Sequence, residues 1–195
     1  MNIKLIAFRR IDAERRDMVR EWRNREEVRS QMVSDAEIDP ATHLEWFERV
    51  KAAPDASYWL IEVDGRDAGV INLSCIDSEA GTGYWAFYLV DARLRKRGLG
   101  RIVEYEFLNF LFNALSFRSV FCEVLESNRP VLNMHAHFGF KYFDTIEDYA
   151  VKNGHALKGI VLSLSRERWM ENMIFIRDQR LARCKPYRFS IDFDD

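Results

Sequence analysis

The residues best suited to chemistry form a dense cluster of cations with two glycines. Residues 93–101, here called the glycine turn, carry five cations and no acid, and Gly98 and Gly100 lie among them. A helical hydrophobic pattern begins at Leu99, so the free N–H groups of a helix start would lie in this turn, where glycines let an anion approach. The cluster predicts a phosphate-binding turn; a solvated basic turn is the alternative.

The glycine turn matches neither common nucleotide-binding fingerprint. It does not end in Gly-Lys-Ser/Thr, as a P-loop would, and no G-x-G-x-x-G follows the first predicted strand. The turn instead joins a predicted strand at residues 84–90, expected to be buried on both faces, to a predicted helix. A further strand at residues 120–125 completes a βαβ-like unit that would hold the turn at the end of a strand.

The elements before this unit have clear start signals. Asp12 and Asp39 are predicted N-caps of two helices, and Pro40 follows the second cap at the first helical position. A strand is predicted at residues 3–8, and the Asp-Gly pair at residues 64–65 predicts a hairpin between two more strands. These segments predict an antiparallel meander associated with two helices.

The elements after this unit are more weakly marked. Asn128 begins a helix that ends near Gly139. Two short closing strands at residues 140–143 and 159–164 and a helical turn at residues 166–170 are expected to follow. We therefore predict one domain over residues 1–171 and a C-terminal tail over residues 172–195.

Composition excludes several classes of protein. The 195 residues hold 29 Lys and Arg against 31 Asp and Glu, a net charge of −2, and the cations cluster in one short segment. A wide basic surface for nucleic acid is therefore not expected. No apolar run reaches the ~18 residues of a membrane span, and three cysteines without metal-ligand spacing favour a reducing, cytoplasmic location and no metal site.

Two motifs together resemble those of the GCN5-related N-acetyltransferase (GNAT) family. Residues 88–101, YLVDARLRKRGLGR, resemble its acetyl-CoA motif, in which Arg or Gln is followed by two residues, Gly, one residue and Gly or Ala. Residues 128–140, NRPVLNMHAHFGF, resemble its second motif at the expected distance. The resemblance implies an α/β (α+β) fold, a mixed, mostly antiparallel sheet flanked by helices whose fourth and fifth strands splay apart.

The same resemblance implies acetyl-CoA as co-substrate. Pantetheine would lie between the splayed strands, the pyrophosphate would lie on the glycine turn, and an amine would attack the thioester directly. A backbone N–H of residues 89–90 would stabilise the oxyanion. The implied cofactor-binding residues are Tyr88, Leu89, Val90, Arg95, Lys96, Arg97, Gly98, Leu99, Gly100, Arg101 and Asn128.

Two residues are candidates for proton transfer. The family usually has a tyrosine as the acid for the departing thiolate, and His135 stands at that position here; a protonated imidazole can donate, although water is the alternative. Glu123, in the strand beside the predicted splay, is the candidate base, because partial burial would raise the pKa of a carboxyl there. A solvent-facing glutamate without a role is the alternative.

The N-terminal third resembles one subgroup of the family, which serves pseudaminic acid biosynthesis for flagellin glycosylation. Trp22-Arg23-Asn24, with later matches at residues 28–46 and 148–169, carries this resemblance. It implies the 4-amino group of a UDP-linked dideoxy sugar as acceptor. Cations for the diphosphate and aromatic faces for uracil are supplied by Arg23, Arg29, His43, Trp46 and Tyr84.

Other functions remain open at this point. Protein N-terminal acetyltransferases of the ribosomal-protein type share a similar Trp-Arg-Asn opening, and they would need a groove for a peptide. A non-catalytic acetyl-CoA-binding module would keep the glycine turn without an acid or a base. The sequence also leaves open a homodimer.

Overall fold

All eight strands in the described part of the chain belong to one mixed sheet. The computed structural model describes residues 1–91, 93–94, 97–152, 154–182 and 184–193. The sheet order is β6-β7-β5-β4-β3-β2-β1-β8, in which β4–β5 and β1–β8 are parallel and the other pairs antiparallel. The strands are β1 (Asn2–Ala7), β2 (Ser57–Val63), β3 (Arg66–Asp77), β4 (Thr82–Leu89), β5 (Ser119–Leu125), β6 (Lys141–Lys152), β7 (His155–Ser165) and β8 (Arg188–Ile191).

Helices cover both faces of the sheet. One face, the α4 face, carries the larger apolar core, in which Trp59, Trp85 and Trp169 are fully buried. The other, the α1 face, packs Trp22 and Phe47 against the sheet. The helices are α1 (Ala13–Asn24), α2 (Glu26–Arg29), α3 (Pro40–Ala52), α4 (Leu99–Asn109), α5 (Arg129–His137) and α6 (Arg166–Arg180), with a 3-10 turn at Phe8–Arg10 and a π turn at Phe110–Ala114.

Three predicted helix starts are confirmed, because each depends on a side chain close in sequence. Asp12 accepts a hydrogen bond from the Arg15 N–H, Asp39 caps α3, and Asn128 accepts from the Val131 N–H. These oxygens satisfy backbone donors that a helix start leaves unpaired. The predicted mixed sheet flanked by helices is also confirmed.

Two predictions about strands are wrong in detail. β4 is not buried on both faces, since its burial alternates: Trp85 and Leu89 are buried and Ala86 is exposed. The closing strands are much longer than predicted and form one hairpin, β6–β7, of which β6 is an edge strand with mostly exposed side chains. An edge strand of this kind lacks the alternating apolar pattern from which strands are recognised.

The end of the chain is more ordered than expected. The predicted helical turn at residues 166–170 is the first part of α6, which continues to Arg180, so the predicted domain limit at residue 171 falls inside a helix. Ile176 and Leu181 pack into the core of the α4 face, and β8 pairs with β1. Within the described residues, no helix combines the length and apolarity required to cross a membrane.

Candidate active site

The centre of the site is a gap between β4 and β5. These parallel strands are paired only from Thr82 to Tyr84 on β4 and from Ser119 to Phe121 on β5. Beyond that point β4 follows β3 and β5 follows β7. We call the space between residues 85–89 and residues 122–125 the interstrand gap; it is the predicted splay.

The glycine turn lies at the start of α4. Gly98 caps the helix with φ = 82°, a left-handed conformation that glycine adopts without steric cost. The N–H groups of Arg101 and Ile102 donate to the Gly98 carbonyl. The preceding N–H groups, of Gly98, Leu99 and Gly100, have no acceptor among the described residues. Unpaired N–H groups at a helix start are suited to binding phosphate oxygens.

The side chains of this turn divide by burial. Arg97 and Arg101 are exposed, as a phosphate ligand requires, whereas the side chain of Leu99 is fully buried, so only its backbone could contact a cofactor. Arg95 and Lys96, both predicted to bind the cofactor, lie outside the described residues. Cys184 approaches the turn closely: a Cβ on Gly98 would lie 3.2 Å from its Sγ.

Three elements meet beside the glycine turn. A Cβ on Gly100 would lie 3.7 Å from the Phe87 ring of β4 and 3.8 Å from Met134 Sδ of α5. The turn therefore opens directly onto the interstrand gap. Asn128, predicted to contact the cofactor, is half-buried at the start of α5, and its Oδ1 already accepts from Val131 at 3.4 Å.

The backbone of β4 narrows the choice of oxyanion donor. The Val90 N–H donates to the Ala68 carbonyl at 2.9 Å, so it faces β3 and not the interstrand gap. Hydrogen bonds alternate along an antiparallel ladder, which turns the N–H groups of Phe87 and Leu89 toward β5. Of the two residues predicted for this role, Leu89 therefore has the required direction.

Tyr88, predicted to contact pantetheine between the strands, has its side chain on the α1 face of the sheet. Its ring packs against the core of the α1 face, and burial raises the pKa of its hydroxyl. Arg23 of α1 is close enough to influence that hydroxyl. The Arg23 Nη1 and the Tyr88 hydroxyl are both buried, and neither has a hydrogen-bond partner among the described residues.

His135 lies on the α4 face beneath the interstrand gap. Its ring contacts Trp85 of β4 at 5.5 Å and Phe140 at 5.2 Å between centroids, and only 4% of the residue is exposed. Its Nδ1 is 2.7 Å from Oε1 of Glu104, a fully buried residue of α4. Burial alone would lower the pKa of His135, but Glu104 and the Cys122 thiol outweigh it and hold the pKa well above its ordinary value.

Glu123 lies on the opposite face of the sheet, at the same level of the interstrand gap. It is exposed and not partly buried as predicted, because its side chain is on the face of β5 opposite to the buried Cys122 and Val124, and its Oε2 accepts a hydrogen bond from the Tyr149 hydroxyl at 2.8 Å. Burial and this carboxylate together raise the pKa of Tyr149. Tyr84, a predicted substrate residue, stacks on Phe121 at 5.3 Å on this face, where Glu123 influences its hydroxyl.

The other predicted substrate residues lie on helices of the α1 face. Trp46 packs edge-on against Tyr58, and His43 is 2% exposed beside it. Burial and the nearby Arg20 lower the pKa of His43 to about 4, so it is neutral at pH 7 and is not a cation for a diphosphate. Arg29 pairs with Glu26 at 2.9 Å, and its carbonyl accepts from Lys152 of β6.

The structure thus brings some predicted residues together and separates others. Tyr84 and Glu123 share the α1-face side of the interstrand gap, and Arg23 adjoins Tyr88, whereas His135 lies on the other face. Glu104 and Tyr149 had no role in the sequence prediction. One sequence feature could have drawn attention to Glu104. It lies four residues from Gly100 and four from Leu108, so it interrupts the apolar side of α4 with an acid.

A metal site finds no support in the described residues. No group of three or more His, Cys, Asp or Glu side chains there is arranged to hold an ion. The two histidines of α5 differ in environment, since His135 is buried and His137 is exposed.

Two parallel strands that separate beside a glycine turn at a helix start are the architecture of an acyltransferase that uses coenzyme A. A sequence model described as the acetyltransferase (GNAT) family matches residues 16–140, well over half of the chain. The chain belongs to this family, and it is an acetyl-CoA-dependent N-acetyltransferase.

Individual relatives are distant. The acetyltransferase PseH of Campylobacter jejuni is 22% identical over 147 residues, covering 75% of this chain and 90% of that protein. The solved structure of Campylobacter jejuni PseH in complex with acetyl coenzyme A has a TM-score of 0.61 at 18% identity, covering 84% of this chain and 98% of that one. Spermidine N-acetyltransferase from Vibrio cholerae, solved with CoA and spermine, has a TM-score of 0.76 at 12% identity, covering 86% and 98%.

Proposed function

We propose that this enzyme acetylates the 4-amino group of a UDP-linked amino-dideoxy sugar of the pseudaminic acid type, as used in flagellin glycosylation. The similarity to PseH, an acetyltransferase of Campylobacter jejuni, supports this substrate class. The observation that carries the proposal is the half-buried side chain of Arg23, whose buried Nη1 has no partner among the described residues. A buried nitrogen of a cation without a partner is costly, and an oxygen of a nucleotide diphosphate would satisfy it.

Charge and ring surfaces on the α1 face support the same acceptor. Burial lowers the pKa of Arg23 despite the opposing effect of Tyr88, so the site would gain from a bound anion. Tyr84 and Phe121 offer stacked rings for a uracil or a sugar face. A polyamine, the acceptor class of the Vibrio cholerae enzyme, would be repelled by the Arg23 cation.

The proposed reaction uses the two sides of the interstrand gap. Acetyl-CoA would bind from the α4 face, with its pyrophosphate on the glycine turn and its thioester beside residues 87–89. The amine would approach from the α1 face, where Glu123 would accept its proton directly or through water. N–H groups of β4 that face β5 would stabilise the oxyanion, and His135 would protonate the thiolate.

The test is a thiol-release assay with purified protein and acetyl-CoA. Turnover is expected with a UDP-4-amino-4,6-dideoxy sugar and not with a peptide bearing a free N-terminus. Turnover of the peptide alone would exclude the sugar, and acetyl-CoA binding without thiol release from either amine would indicate a non-catalytic module.

Two variants make the assay specific to the site. Arg23→Gln should raise the KM for the UDP-sugar about tenfold or more, with little change for acetyl-CoA. Arg16→Gln, on the same helix, is the matched control.

Glu123→Gln should lower kcat about a hundredfold, because the amine would lose its proton acceptor. Glu126→Gln is its control, and a wild-type kcat in Glu123→Gln would assign the base to water.

A further inference from the structure

A buried pair of titratable side chains joins α4 to α5 beneath the interstrand gap. Glu104 is fully buried and His135 nearly so, and the Glu104 Oε1 to His135 Nδ1 distance is 2.7 Å. The second carboxylate oxygen, Oε2, is buried without a partner among the described residues. An apolar pair would pack α4 on α5 at lower cost in desolvation, so helix packing alone does not account for these residues.

The pair lies beside the reacting part of the site. His135 contacts Trp85 of β4, whose backbone borders the interstrand gap, and the Cys122 thiol of β5 interacts with the same imidazole. Its neighbour Met134 lies beside Gly100 at the glycine turn. The imidazole therefore lies beside both splayed strands on the α4 face, the side from which acetyl-CoA would enter.

The charge of the imidazole is set by few neighbours. Among the described residues, the titratable groups that face it are Glu104 from α4 and Cys122 from β5, while Trp85 and Phe140 supply only rings. Burial favours neutral imidazole, and Glu104 and Cys122 together favour the cation more strongly. Without Glu104, the effect of burial would be opposed less, and the pKa of His135 would fall.

We propose that Glu104 is a positioning residue that holds His135 in one orientation as an imidazolium, so that Nε2 can protonate the thiolate leaving coenzyme A. Glu104 occupies Nδ1 and so makes Nε2 the nitrogen that can give up a proton. The inference rests on the proposed function, because it requires a thioester in the interstrand gap.

The amine nitrogen bonds to the acetyl carbonyl carbon, the carbon–sulfur bond breaks, and its electron pair passes to sulfur. The proton on Nε2 moves to that sulfur, and the extra proton of the amine passes to Glu123 or to water. His135 is left neutral with its remaining proton on Nδ1 facing Glu104, and it regains a proton from solvent.

The first experiment follows the imidazole without any substrate. The chain has four histidines, so the NMR signals of His135 can be assigned by their loss in His135→Gln. In the wild-type protein His135 should remain protonated at pH values where an ordinary histidine is neutral. In Glu104→Gln it should lose its proton at a lower pH than in the wild type; an unchanged titration would overturn the inference.

The second experiment measures catalysis. In Glu104→Gln, kcat at pH 8 should fall about tenfold or more, and the high-pH decline of kcat should move to lower pH, because less imidazolium is present. The KM for acetyl-CoA should stay within about threefold of wild type. Glu106→Gln, on the same helix with its carboxylate bonded to Tyr187, is the control and should keep the wild-type profile.

The outcomes separate this inference from the proposed function. A wild-type enzyme that acetylates only another amine would overturn the sugar assignment, and the pH profile with that amine would still test Glu104. Loss of stability in Glu104→Gln with an unshifted kcat profile would make the pair purely structural. If Glu104→Gln does not fold, the wild-type titration decides: an ordinary His135 titration contradicts the inference.

Discussion

Single residues in this enzyme gain their properties from burial more than from type. His43 was predicted to help bind a charged substrate, yet its burial and the nearby Arg20 keep it neutral. Its Nε2 is buried without a partner among the described residues. His43 can therefore serve the acceptor as a neutral hydrogen-bonding group but not as a cation at pH 7.

The neutral state of His43 predicts a dependence of stability on pH. Its pKa is about 4 in the folded protein against an ordinary 6.5, so on acidification the unfolded chain takes up a proton that the folded chain does not. The free energy of unfolding should therefore fall, relative to His43→Gln, as pH drops from 6.5 to 4, by up to ~1.4 kcal/mol per pH unit. Urea titrations at several pH values measure this difference.

The comparison needs a histidine that is not buried. His155→Gln is a suitable control because His155 is exposed. Its free energy of unfolding should change with pH in the same way as that of the wild type. Parallel curves for His43→Gln as well would contradict the neutral, buried state of His43.

At the scale of elements, the conformation of the glycine turn depends on Gly98 more than on Gly100. Gly98 has φ = 82°, and a Cβ there would lie 3.2 Å from Cys184 Sγ, whereas a Cβ on Gly100 would make ordinary contacts of 3.7 Å or more. An L-residue in the left-handed region costs roughly 1–2 kcal/mol. The turn should therefore tolerate alanine at position 100 but not at position 98.

This difference predicts the effect of two matched variants. Gly98→Ala should raise the Kd for acetyl-CoA about tenfold, because the turn must change shape to relieve strain and then misplaces its N–H groups. Gly100→Ala should change it by less than about threefold. Calorimetric titration with acetyl-CoA checks both values, and equal affinities for the two variants would show that the turn is not the phosphate site.

At the scale of the whole molecule, the residues after 171 contribute to the core and to the sheet. Ile176 and Leu181 are buried on the α4 face, the Asp192 carbonyl accepts a hydrogen bond from the Trp59 indole, and β8 pairs with β1. Burying an aliphatic side chain of this size contributes about 1.5–3 kcal/mol. The chain beyond residue 171 therefore contributes to the stability of the acetyltransferase fold.

Truncation measures that contribution. A chain ending at residue 171 should lose the cooperative thermal unfolding transition, because α6 is cut and the core around Trp169 is opened. A chain ending at residue 187 keeps α6 and loses β8 together with the Asp192 and Phe193 contacts to Trp59, so it should unfold cooperatively at a lower Tm. A full-length Tm in the chain of 171 residues would show that the remainder is a dispensable tail.

The reach of sequence-based prediction follows from the range of the interactions involved. Caps such as Asp12 and Asn128 satisfy backbone groups three residues away, so they could be predicted from the chain alone. The extent of β6 and the path of the chain after α6 could not, because edge strands and exposed helices lack a clear apolar period.

The sequence by itself determined the helix starts, the hairpin at residues 64–65, the glycine turn and the order of elements that identifies the family. All of these depend on residues close together in the chain. Only the tertiary structure decided that His135 pairs with Glu104, 31 residues away, that His43 is neutral, and that Tyr84 and Glu123 share one side of the interstrand gap. Charge state and mutual placement depend on burial, and burial is set by contacts between distant parts of the chain.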